Sequence, residues 1–90
     1  MSHPNYDLLH PHLRESFRRY IEQGIPPGSF MRALLSNDLR EIFARADELN
    51  GSEVRNYVMW LWNNAPAFCW GSPEAVDAWI ARHAETELRR

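Results

Sequence analysis

Apolar positions recur along this chain at steps of three and four, and prolines and glycines cut the pattern into five pieces. Leu13, Phe17, Tyr20 and Ile21 share one helical face, opened by His10-Pro11 and closed by Gly24. Proline suits the first helical position because the N–H it lacks would have no partner there. Gly24 followed by Ile25 suits a left-handed stop with an apolar clasp, so a helix is expected over about residues 11–23. Pro26-Pro27-Gly28 then demands a turn. Phe30, Met31, Ala33, Leu34 and Leu35 are too dense for a surface helix, which predicts a short, mostly buried second one. Ser36-Asn37 interrupts it and offers an N-cap for a third helix from Asp38, with Leu39, Ile42, Phe43, Ala46 and Leu49 along one face.

Asn50-Gly51 reads as a stop or a bend, and a fourth helix is expected over about residues 52–64 with Val54, Tyr57, Val58 and Leu61 as its core stripe. Pro66 closes it, and residues 67–71 form an apolar loop. Ser72-Pro73-Glu74 combines a capping serine, a proline and a first-turn acid, which starts a last helix. Val76, Trp79, Ile80 and His83 face inward from it, and residues 85–90 are expected to fray. No stretch alternates with period two. The pattern therefore predicts an all-α fold: one domain over residues 1–90, about five short helices packed as a single pair of layers, with 1–8 and 86–90 loosely ordered.

Composition narrows the classes. Ninety residues at 44% apolar can bury one modest core. No apolar run approaches the roughly 18 residues of a membrane span. Met1-Ser2-His3-Pro4-Asn5 lacks the basic start and apolar stretch of a secretory signal. A single cysteine, Cys69, forms no internal disulfide and fits a reducing cytoplasm. The net charge is −2 and every basic residue is arginine, interspersed with acids as in Glu15→Arg19 and Glu41→Arg45. Nucleic-acid binders concentrate positive charge. A helix-turn-helix built here would instead present Asp38, Glu41, Asp47 and Glu48 beside Arg40 and Arg45, so nucleic acid is not the expected partner.

Catalytic patterns are thin. Cys69 precedes a helix start, with Asp77 and His83 downstream, but six residues on a helix leave those two about 120° apart, too far to orient one another. Cys69 reads better as a small buried hydrophobe. No cysteine or paired acid at zinc-like spacing completes four ligands with His3, His10 and His12, so His10 is expected to cap the first helix and no metal is assigned. His83 is expected to be structural. No phosphate loop, dinucleotide fingerprint or HExxH occurs. Neither an enzyme nor a cofactor is expected.

Four tryptophans in so short a chain are the unusual feature. Trp60 and Trp62 lie about 200° apart on a helix. If the Val54–Leu61 stripe meets the core, Trp62 sits on the flank and Met59 and Trp60 point outward, between Asn56 and Asn63. An apolar anchor between polar groups is the usual make-up of a protein interface. A second helix covering Trp60 is the opposing reading. Phe68 and Trp70, beside Cys69, form either a plug over the core or a binding loop. Arg14, Arg18 and Arg19 make the densest basic patch, suited to an acidic protein surface. Self-pairing of the outer fourth-helix face, giving a homodimer, is the alternative use of the same residues.

Gly24-Ile25-Pro26-Pro27-Gly28-Ser29-Phe30, Leu35-Ser36-Asn37-Asp38-Leu39, Ala44-Arg45-Ala46-Asp47 and Cys69-Trp70-Gly71-Ser72-Pro73-Glu74, taken together, resemble a group of small uncharacterised proteins of temperate bacteriophages and prophages. The similarity spans roughly residues 10–80. It implies a phage accessory protein in the bacterial cytoplasm that acts by binding a host protein, for example a defence or regulatory component, and it transfers no catalytic residue.

Overall fold

The computed structural model describes the backbone of residues 4–88 and side chains through Ala84. Five α-helices account for most of it: α1 Pro11–Gln23, α2 Ser29–Leu35, α3 Leu39–Arg45, α4 Glu48–Asn64 and α5 Pro73–Leu88. Short 3-10 turns at Tyr6–Leu8 and Ala67–Cys69 precede α1 and α5. The described residues contain no strand, and the all-α expectation stands. The body measures 41 × 27 × 19 Å.

Local chemistry explains the boundaries. His10 Nδ1 accepts the N–H of His12 and caps α1. Gly24 takes the left-handed conformation at φ 65° and ends the helix as expected, with Ile25 after it 42% exposed. At the end of α2, Asn37 is left-handed at φ 59°, the Asp38 N–H donates to Ala33 O and the Asn37 N–H to Leu34 O, a Schellman closure built on asparagine. The cap of α3 is thus Asp38 itself, whose Oδ1 accepts the Glu41 N–H, and not Ser36-Asn37. Ser72 Oγ accepts the Ala75 N–H, with Pro73 as the first residue of α5.

Two elements depart from the pattern. The third helix ends at Arg45, and of its expected stripe Ile42 is buried while Leu39, Phe43 and Leu49 are exposed. The fourth helix begins at Glu48, so Asn50-Gly51 lies inside it. Asp47 is the reason: its Oδ1 accepts the Asn50 N–H at 2.7 Å and starts the helix one turn early. Asn50 is then buried, and its Oδ1 accepts the Tyr57 hydroxyl.

The core joins Phe17, Tyr20 and Ile21 of α1, the whole inner side of α2, Ile42, Tyr57, Trp60 and Leu61 of α4, Cys69 and Val76. A run of rings, Tyr6–Trp60–Phe17–Tyr57–Phe30, crosses it with successive centroids 5.4–6.2 Å apart. The α5 end is tied down by polar links. Trp79 Nε1–H donates to Tyr20 O at 2.9 Å, the Tyr20 hydroxyl donates to Cys69 O at 2.6 Å, and Arg32 pairs with Asp77. Val76 is fully buried, and Trp79, Ile80 and His83 lie half-buried on the inner face, as expected. Of residues 85–90, expected to fray, 85–88 continue α5 as helix, while 89–90 and the expected loose order of 1–3 fall outside the described residues.

Candidate functional site

Trp60 is 5% exposed, which overturns the expectation that its indole projects outside the bundle. What covers it is the segment before α1, which has no periodicity to read. Asn5 O accepts the Trp60 Nε1–H at 2.8 Å, and the Asn5 N–H donates to Asn64 Oδ1 at 3.1 Å. The rings of Tyr6 and Phe17 close over the indole at 5.5 and 5.4 Å. Residues 5–8, expected to be loosely ordered, are instead fastened to the body.

Arg14 supplies the fastening. Its Nε donates to Tyr6 O at 3.1 Å, and its Nη2 donates to Leu9 O at 3.0 Å and Asp7 O at 3.4 Å. A planar guanidinium can reach three carbonyls at once, which an ammonium cannot do with the same geometry. Arg18 pairs with Glu15 and lies 5.0 Å over the Tyr6 ring. Arg14 is therefore taken up by the fold, while Arg18, whose side chain stays 43% exposed, and Arg19 remain at the surface as the expected basic patch.

The other candidate residues separate into two grooves. The first, about 550 Å³, runs along α4 beside the N-terminal segment. Asn56, Met59, Asn63 and Glu53 line one side and Leu8 and His10 the other, with buried Tyr57 and Trp60 beneath. Three of the four residues expected on the outer α4 face thus do meet, with Trp60 as floor and not as anchor. Met59 is 48% exposed. The amides are held: Asn63 Nδ2 donates to Met59 O, and Asn56 Nδ2 donates to Glu53 Oε2 at 2.8 Å. Their Oδ1 atoms accept nothing among the described residues. Two amide oxygens and a carboxylate make this groove rich in acceptors, and Glu53 is its only acid.

The second groove, about 560 Å³, lies across the α4 C-terminus and the loop to α5. Val58, Trp62, Ala65, Ala67 and Trp70 shape it, and no ionisable side chain lines it. Trp62 is 76% exposed and Phe68, next along from Ala67, is 70% exposed. The expected loop is both plug and display: Cys69 is fully buried, Trp70 half-buried, Phe68 in water. A hydrogen bond from Gly71 N–H to Leu35 O at 2.6 Å pins it.

Sequence reasoning missed Trp62, Leu39 and Phe43 as exposed apolar side chains. For Trp62 a signal existed: 200° from Trp60, it must face water once Trp60 is covered. For α3 there was none, because its apolar spacing is that of a buried helix.

The Cys69 thiol is pushed up to about 12 by burial, so it stays protonated near neutral pH and out of reach of solvent. Burial likewise raises the Tyr6, Tyr20 and Tyr57 hydroxyls. Among the described residues no three His, Cys, Asp or Glu side chains gather as metal ligands, and no helix is long and apolar enough to cross a membrane.

These features define a small all-α globule in which most of the candidate residues of α4 and the loop after it line two of the surface grooves. Comparison of the chain with family models, curated proteins and solved structures found no match.

Proposed function

We propose that this chain is a non-enzymatic protein-binding module whose partner contact is the Asn56–Met59–Asn63 groove. The observation that supports it is the acceptor-rich lining: two amide oxygens, held by hydrogen bonds through their own nitrogens, flank an exposed methionine next to Glu53. Acceptors want donors, and one carboxylate in a part-apolar groove favours a cation. The complementary occupant is a segment of another protein that inserts an arginine or lysine, its aliphatic stem along Met59 and its head toward Glu53 and the amides. Following the phage resemblance, the partner is a protein of the bacterial host. The buried, protonated thiol supports the non-enzymatic reading.

Affinity capture from bacterial lysate with the tagged chain tests it. A captured protein is expected to be lost, by tenfold or more in retention, from Met59→Ala and from Asn63→Ala, and to elute with rising salt. Met59 and Asn63 are surface residues, so both variants keep the native circular dichroism. Retention of the same partner by a folded Met59→Ala/Asn63→Ala double variant overturns the assignment.

A further inference from the structure

We infer that the occupant of the Asn56–Met59–Asn63 groove is an extended segment of polyproline type that carries a basic side chain and, three residues away, a neutral hydrogen-bond donor. This deepens the binding-module reading and rests on it. Asn56 and Asn63 lie on one face of α4, about 10.5 Å apart along its axis. Both amide nitrogens reach back toward the helix N-terminus, Asn56 Nδ2 to Glu53 Oε2 and Asn63 Nδ2 to Met59 O. Both oxygens are thereby left for an occupant at that spacing. The two ends of the stripe differ. At the Asn56 end the amide oxygen stands beside the Glu53 carboxylate, which favours a cation. At the Asn63 end no carboxylate lines the groove, so a cation drawn from water there would lack a counter-charge and a neutral donor fits better. Met59, 48% exposed, lies between them and meets the apolar part of the residues that join the two donors.

Spacing and width select the backbone of the occupant. In a polyproline helix residues i and i+3 share a face about 9.3 Å apart, close to the separation of the two amides. A β-strand offers same-face pairs about 6.6 and 13 Å apart, and neither matches. An α-helix repeats its face after seven residues at the right spacing, but it is about 10 Å wide. The groove holds about 550 Å³. Spread over the roughly 15 Å from Glu53 to Asn63, that volume averages about 37 Å² in section, under half of what such a helix fills.

NMR of the full chain, titrated with acetyl-Arg-Pro-Pro-Gln-amide and with the reversed sequence, provides the test. One of these peptides is expected to shift the side-chain amide signals of both Asn56 and Asn63. Replacing its glutamine by alanine weakens binding about fivefold, the worth of one hydrogen bond, and Glu53→Gln weakens it about tenfold. In an Asn63→Ala protein the glutamine and alanine peptides bind alike, because the second acceptor is gone. Neither Glu53 nor Asn63 is buried, so both variants keep the native circular dichroism. The inference is overturned by the absence of any shift at several millimolar peptide, or by equal affinity of the native chain for the alanine peptide. Tighter binding of a helical peptide with the same two residues seven apart overturns it as well. Partner capture is a separate readout: a protein held through Met59 and Asn63, with peptides that fail, removes the segment assigned here and leaves the binding-module reading in place.

Discussion

A methyl group built on Gly24 would lie 2.3 Å from His83 Cβ and 2.6 Å from its Cγ. The residue also sits at φ 65°, where a side chain is strained. One glycine therefore both ends α1 and lets α5 approach it, with the His83 ring tilted against Trp79 at a centroid distance of 4.9 Å. Gly24→Ala is expected to lose about 2–5 kcal/mol of stability in urea unfolding, part from the backbone and part from the clash. His83→Ala does not relieve it, because the offending Cβ remains. In a His83→Gly background the same Gly24→Ala change costs only the backbone share, about 1–2 kcal/mol. Equal costs in both backgrounds would refute the close-approach account. The glycine as helix stop was legible from its place after an apolar run. Its partner was not, since 59 residues separate it from His83 in the chain.

At the scale of elements, most helix positions followed the punctuation, with Asn50-Gly51 inside α4 the exception, and helix burial did not. The Asp38 and Asp47 caps set the starts of α3 and α4, but only neighbours decide which apolar faces are covered. Ile42 found the core, whereas Leu39 and Phe43, at the same helical spacing as any buried pair, met no covering element. The reverse happened to Trp60. Its cover is a 3-10 turn held by Arg14 and by the Asn5 hydrogen bonds to Trp60 and Asn64, with too few residues for any periodic signal. Arg14→Ala is expected to release that turn, shift the tryptophan emission to the red and raise acrylamide quenching several-fold, while α1–α5 keep their circular dichroism. Arg14→Lys should behave like alanine, because a point charge cannot serve three carbonyls. Unchanged quenching in both variants would show that the segment stays in place without Arg14.

Across the whole molecule, four buried acids of high pKa share one consequence. Cys69 and the three core tyrosines keep their protons in the folded state, while in the unfolded chain they ionise near their ordinary values of 9.0 and 10.0. Above pH 9 the unfolded state thus binds fewer protons than the native one, and stability falls as pH rises. Below pH 9 the contribution is constant. Each withheld proton costs about 1.4 kcal/mol per pH unit. Urea unfolding between pH 8 and 11 should show the fall begin near pH 9, and Cys69→Ala should delay its onset toward pH 10, where the tyrosines take over. Stability that stays level to pH 11 would contradict the burial of these groups.

By itself the sequence determined the class of this protein and the ends of most of its helices, because caps, prolines and left-handed stops act within a few residues of the positions that encode them. It also determined that α4 carries more aromatic surface than one core face can take, since Trp60 and Trp62 lie on opposite sides. Which of the two faces water was decided by the tertiary structure alone. Burial depends on what arrives from elsewhere in the chain, and a turn from residues 5–9 reached Trp60 and left Trp62 outside.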